Sequence, residues 1–270
     1  MSDPLTASLP LPHKPTPAPF EFAPGFRPHW PIRQVLFDFD GTLSLVRAGW
    51  AEVMTEMFLE NLADADRAFV VESIMALNGK ATIHQMDWLA TQRQESGTAQ
   101  DHLDEFLRRL QKLIDERLAG DREKLLVPGA RALLEMLTAR GCTLHIASGT
   151  DERAVRREAD ALGIAHFFGG RIHGAQPDAL AFSKMEIIEA ILRDYDCPGD
   201  ALLSFGDGHI ETANTKSVGG LAVAVASDEA QPGSGRIDPG KRARLLAAGA
   251  DVVIADYRNA DALLEILLAP

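Results

Sequence analysis

Ile32-Arg33-Gln34-Val35-Leu36-Phe37-Asp38-Phe39-Asp40-Gly41-Thr42-Leu43 decides how this chain is read. From Ile32 to Phe37 the run is short, apolar and β-prone, and it stops abruptly at acidic residues and a glycine. An apolar run of strand length that ends in pattern-breaking residues reads as a buried strand entering a functional loop. Its two carboxylates, Asp38 and Asp40, stand two residues apart at that end.

Outward from this stretch the period changes. Val46, Trp50, Val53, Met54, Met57 and Phe58 fall on one helical face, with Glu52, Glu56 and Glu60 elsewhere. Leu103, Phe106, Leu107, Leu110, Leu113, Ile114 and Leu118 mark another helix, and residues 64 to 95 between them also read as helical. Residues 45–127 therefore read as an all-helical block. Met54, Met57, Phe58, Met86 and Trp88 are expected in its core. After Pro128-Gly129, strands and helices alternate. Helix 130–140 precedes strand 143–147, helix 151–162 a short strand near 170–173, and helix 183–194 strand 201–205. Helix 210–218 precedes strand 221–226, helix 239–248 strand 251–254, and a last helix closes the chain. Such alternation implies an α/β fold, a Rossmann-like doubly wound parallel sheet covered on both faces. The expected organisation is an α/β core of residues 32–44 and 128–270 with an all-helical block, 45–127, inserted after the first strand. Upstream, residues 1–31 hold nine of the fifteen prolines. Proline fixes φ and lacks a backbone donor, so this segment is read as an extended tail, its end pinned by Phe20, Phe22, Phe26 and Trp30.

In a parallel α/β sheet, ligands bind beyond the carboxyl ends of the strands. Three strand ends carry polar residues: Asp38 and Asp40 after the first, Ser148-Gly149 after the second, and Asp207 after the fourth, with Glu211 a turn later. Lys184 opens the helix after the third strand. Asp38, Asp40, Asp207 and Glu211 would repel one another without a cation, and hard oxygen donors suit Mg²⁺. Lys184 and the Ser148 hydroxyl are suited to phosphoryl oxygens. One carboxylate can attack phosphorus, and a second two residues on can handle the proton.

In these motifs and their order the chain resembles the haloacid dehalogenase superfamily of phosphatases, over about residues 32 to 270. Asp38-Phe39-Asp40-Gly41-Thr42-Leu43 resembles the first motif, Ser148 the hydroxyl of the second, and Lys184 the third. Gly206-Asp207-Gly208-His209-Ile210-Glu211 resembles the fourth. The helical insertion is similar to the cap of the phosphoglycolate phosphatase and β-phosphoglucomutase branches. The resemblance implies Asp38 as nucleophile and metal ligand. It implies Asp40 as the acid that protonates the leaving oxygen and then activates water, its carbonyl binding the metal. Asp207 and Glu211 would complete the Mg²⁺ site, Glu211 directly or through water. Ser148, Gly149 and Lys184 would bind phosphate, helped by backbone donors near Phe39 and Gly149. The implied activity is hydrolysis of a small phosphate monoester, a sugar phosphate or a phosphoglycolate-like metabolite, through an aspartyl-phosphate. A phosphomutase on the same scaffold and a non-catalytic phosphate-binding or partner-binding protein are the alternatives, the tail supporting the last. Asp40 disfavours dehalogenation and phosphonate cleavage, which do not use an acid at that position.

Other features have plainer readings. His145 lies in an apolar strand and reads as a satisfied core group, His173 as turn or site rim, and His209 as no ligand. Gly206-x-Gly208 lacks the third glycine of a dinucleotide fingerprint, because position 211 is Glu. Gly233-Ser234-Gly235-Arg236 lacks the Gly-Lys-Ser/Thr of a phosphate-binding P-loop and reads as a loop. Asn78-Gly79-Lys80-Ala81-Thr82 breaks the cap helices, and Lys80 is a candidate substrate contact; the other reading is a turn with Thr82 as N-cap. A net charge of −12 argues against nucleic acid as partner. Two cysteines without a metal-binding spacing, no apolar run of membrane length and no secretion-type start give the expectation of a cytoplasmic enzyme without a membrane partner.

Overall fold

β2 (Gln34–Phe37) is buried along its whole length. Its side chains alternate, Val35 and Phe37 entering one core and Leu36 another. The computed structural model describes residues 20–29, 31–60, 67–77, 82–93, 97–176, 183–228 and 231–268. Within these, β1 (Phe20–Phe22), β2, β3 (Thr143–Asp151), β4 (Ile172–Ala175), β5 (Leu202–Gly206), β6 (Leu221–Val225) and β7 (Val252–Ile254) form one sheet in the order β1-β7-β6-β5-β2-β3-β4. Pairings from β7 to β4 are parallel, and β1 lies antiparallel on β7. From β2 the chain winds one way through β3 and β4; from β5 it winds the other way through β6 and β7. The β2/β5 boundary is therefore the topological switch point, where open α/β sheets place their ligands.

Helices cover both faces. α5 (Ala130–Ala139), α6 (Glu152–Ala161) and α10 (Ala260–Leu267) pack one face through Leu133, Leu137, Val155, Ala159, Leu263 and Leu267. On the other, α7 (Lys184–Asp194) sets Ile188 and Ile191 against Leu36, Ala147 and Leu202. α9 (Pro239–Ala247) sets Leu245 against Ala224 and Val253. α8 (His209–Ser217) follows β5.

The insertion contains α1 (Trp50–Leu59), α2 (Arg67–Ala76), α3 (Thr82–Arg93) and α4 (Ala99–Leu118). Met54, Phe58 and Met86 are buried there, while Met57 and Trp88 are partly buried against the same core. Lys80, with Asn78, Gly79 and Ala81, lies outside the described residues, as do residues 1–19 and Trp30. The two linkers into the insertion lie side by side: Leu45 N–H donates to Leu125 O at 2.7 Å, and Val127 N–H to Leu43 O at 3.0 Å.

Two elements differ from the sequence reading. The proline-rich segment contributes an edge strand at its end, because Phe20–Phe22 lies between Pro19 and Pro24 and is free of proline. β3 does not stop at Ala147 but continues to Asp151. Its pairing with β4 jumps from Ala147↔His173 to Asp151↔Ala175, so a bulge carries Ser148, Gly149 and Thr150. Bulges next to sites re-aim side chains in this way.

Candidate active site

Asp38 and Asp40 share a side because the chain stays extended past β2. Asp38 N–H still donates to Phe205 O at 2.9 Å, and the intervening Phe39 is buried. Phe39 O then accepts from Leu43 N–H and Ser44 N–H, each at 2.9 Å, which closes the loop. The buried Tyr257 hydroxyl donates to Thr42 O at 3.0 Å and braces it from the core. Asp207 follows β5 across the switch point. A side chain on Gly41, at φ 73°, would come within 2.4 Å of Asp207 Oδ2; only glycine permits this turn and this approach. Glu211 sits in the first turn of α8 and accepts from Gly208 N–H, a favourable place for a carboxylate.

Asp38, Asp207 and Glu211 each place one carboxylate oxygen within 4.8 Å of the others. Among the described residues they are the one such grouping of three His, Cys, Asp or Glu side chains. Lys184 reaches into it from the start of α7, its Nζ 2.8 Å from Asp38 Oδ2 and 3.1 Å from Glu211 Oε2. Burial opposes the Lys184 ammonium, but Asp38 and Glu211 outweigh it and hold it charged above its ordinary value. Burial would also raise Glu211, but Lys184 and its backbone donors win and hold its carboxyl below its ordinary value. Burial, with Glu211 and Asp207, pushes the Asp38 carboxyl up to about 8 against the pull of Lys184. This trio is short of positive charge, and its donors are all hard carboxylate oxygens, so its chemistry fits a divalent cation such as Mg²⁺.

Asp40 faces a second group. Thr150 Oγ1 donates to Asp40 Oδ2 at 2.7 Å, with Ser148 Oγ 3.5 Å from the same oxygen. Ser148 is buried and its Oγ accepts from Thr150 N–H at 3.1 Å, whereas Gly149 is exposed. Arg47 Nε lies 3.6 Å from Asp40 Oδ1.

Asp38, Lys184, Asp207 and Glu211 thus converge, with Asp40 and Ser148 on the adjoining side. Sequence reasoning missed Thr150, Arg47 and Lys241, whose Nζ is 3.0 Å from Asp207 Oδ2. Thr150 follows Ser148 by two residues on an extended chain, a signal that period-two reading could have found. Arg47 lies in the otherwise apolar run Leu45-Val46-Arg47-Ala48-Gly49 and Lys241 in the basic helix start Lys241-Arg242-Ala243-Arg244, and neither setting points to a distant carboxylate. The histidines stand apart from the trio: His209 is exposed, and His145 is buried with Nε2 2.9 Å from Gln34 Oε1 and its Nδ1 without a hydrogen-bond partner. His173 is half-buried within β4, its ring 6.4 Å from that of His145.

Similar folds occur in solved structures. A predicted phosphoglycolate phosphatase from Haemophilus somnus 129PT aligns at 19% identity and TM-score 0.62, covering 86% of this chain and 97% of its own. A haloacid dehalogenase family hydrolase from Deinococcus radiodurans R1, with bound phosphate and sodium, aligns at 19% and 0.61, covering 89% and 99%. A putative β-phosphoglucomutase from Thermotoga maritima aligns at 18% and 0.60, covering 87% and 97%. No curated protein matches the sequence. The family model for haloacid dehalogenase-like hydrolases matches residues 32–212, from the strand before Asp38 to just past Glu211, and the chain belongs to that family.

Proposed function

We propose that this hydrolase is a Mg²⁺-dependent phosphatase that cleaves a small phosphate monoester through an aspartyl-phosphate on Asp38. The observation that carries the reading is the convergence of Asp38, Asp207 and Glu211 around one point beside Lys184. A binding protein needs cations for a phosphate, not a cluster of carboxylates. Mg²⁺ held by Asp38, Asp207, Glu211 and the Asp40 carbonyl would supply the positive charge that keeps Asp38 ionised and offsets charge on the transferring phosphoryl group.

An Asp38 oxygen attacks phosphorus as the ester P–O bond breaks, and Asp40 gives its proton to the leaving oxygen. Asp40, now ionised, takes a proton from water as that water attacks the aspartyl-phosphate, which frees phosphate and restores Asp38. Lys184, the Ser148 hydroxyl and backbone donors at Phe39 and Gly149 hold the phosphoryl oxygens. The helical insertion favours a small substrate, such as a sugar phosphate or a phosphoglycolate-like compound, because a covered site excludes macromolecules and water. The names carried by the Haemophilus and Thermotoga structures fall in the same class. The net charge of −12 speaks against nucleic acid. No described helix is long and apolar enough to cross a membrane. Free Cys142 and Cys197 suit the reducing cytoplasm.

The test is a panel of phosphate esters with Mg²⁺, read for free phosphate and for isomerised sugar phosphate. Asp38→Asn is expected to abolish phosphate release, and EDTA to do so reversibly. Wild-type turnover by purified Asp38→Asn would refute the mechanism, and isomerised product in place of phosphate would mark a mutase.

A further inference from the structure

Glu158 is fully buried on α6, in the stripe Val155, Glu158, Ala159 and Leu162 that faces the core. A carboxylate at an apolar helix position is unfavourable unless it is paired. Its partner is Arg47, from the linker that leads up to the cap. Arg47 Nη2 donates to Glu158 Oε1 at 2.7 Å and Nε to Oε2 at 3.2 Å, a two-pronged clamp. A buried pair of this kind adds little stability over well-packed apolar residues. Its effect is geometric: it fixes the guanidinium, whose Nε lies 3.6 Å from Asp40 Oδ1.

The Asp40 carboxylate is thereby bounded on two sides. Thr150 donates to Oδ2, while Oδ1, buried and without a hydrogen bond, faces Arg47. Arg47 is poorly placed to receive a substrate anion, because its side chain is only 15% exposed and already faces two carboxylates. We propose that Arg47, clamped by Glu158, is a positioning residue that holds the Asp40 carboxylate in the attitude needed to protonate the leaving oxygen. This rests on the reading of Asp40 as the acid.

Acid assistance matters most when the leaving group is poor, which gives a test. Phenyl phosphate and 4-nitrophenyl phosphate carry the same phosphoryl charge and differ in how readily the phenolate departs. Their kcat/KM values report only the steps through phosphorylation of Asp38. General acids contribute factors of about 100 or more, so partial misplacement of Asp40 in Arg47→Met is expected to raise the ratio of 4-nitrophenyl to phenyl kcat/KM about tenfold. Arg47→Lys keeps the charge without the fork and is expected to shift the ratio likewise. Glu158→Gln, which removes the clamp's charge at constant shape, should move it the same way and serves if Arg47→Met fails to fold. Asp40→Asn sets the upper limit of the shift. A shifted ratio in folded Arg47 or Glu158 variants supports the proposal. An unchanged ratio, with both substrates losing equally, overturns it while Asp40→Asn still shows the shift. An unshifted Asp40→Asn, or an active Asp38→Asn, overturns the reading of the site itself and the proposal with it.

Discussion

Two lysines divide the carboxylates of the site: Lys184 faces Asp38 and Glu211, and Lys241 faces Asp207. Removing Lys241 leaves Asp207 close to two other acids. Lys241→Met is therefore expected to destabilise the protein by about 1–3 kcal/mol in EDTA. Mg²⁺ should restore more of the melting temperature in this variant than in the wild type, and an equal Mg²⁺ shift in both would contradict the assignment. His145 gives a pH prediction away from the chemistry. Burial, with Arg171 and His173 nearby, holds its ring down from 6.5 to about 3. The unfolded chain binds that proton below 6.5 and the fold refuses it, so the stability is fully present above 6.5 and is lost as pH falls toward 3. Each pH unit in that window removes up to about 1.4 kcal/mol. Denaturant midpoints at several pH values should show a shallower acid loss in His145→Gln; an identical slope would refute it. At this scale Asp38, Asp40, Asp207 and Glu211 were legible because carboxylates that follow apolar strands stand out. Arg47 and Lys241 were not, because a surface-type cation looks the same in sequence whether it meets water or a carboxylate far along the chain.

At the scale of elements, the clearest lesson is β1. Proline density in residues 1–31 reads as a tail, yet Phe20–Phe22 pairs with β7, and Arg242 on α9 grips Glu21 through Nε at 2.6 Å. Phe22 and Phe26 stack at 4.9 Å beside it. β1 thus covers β7, which would otherwise be the edge of the sheet and whose three residues are all buried. A chain shortened to begin at residue 27 is expected to melt lower and to associate with rising concentration, as read by light scattering. A shortened chain that stays monomeric with an unchanged melting temperature would argue that the edge needs no cover. The bulge in β3 was equally hidden, since Ser148-Gly149-Thr150 has the composition of a loop. Pairing with β4 on both sides of the bulge, a contact between distant segments, keeps it in the sheet.

For the whole molecule, the question is how the insertion is held to the sheet. The linkers cross together at Ser44 and Leu126, and Arg117, near the end of α4, donates through Nη1 to Leu45 O at 3.0 Å and Val46 O at 3.1 Å. Arg117→Met leaves two partly buried carbonyls without that donor. It is expected to lower stability by about 1–2 kcal/mol and to speed proteolytic nicking near residues 119–124. Unchanged cleavage kinetics would argue that Arg117 does not hold the linkers. Sequence alone determined the alternation of strands and helices, the helical block and the acidic strand ends. All of these follow from local periodicity and from abrupt changes in residue type. It also brought out the motif order that marks the family. Only the tertiary structure decided the strand order that sets β2 beside β5, the edge place of β1, and the meeting of Arg47 with Glu158 and of Lys241 with Asp207. Those depend on pairings between residues 34 to 234 positions apart, whose energies come from burial and charge neutralisation that no local window contains.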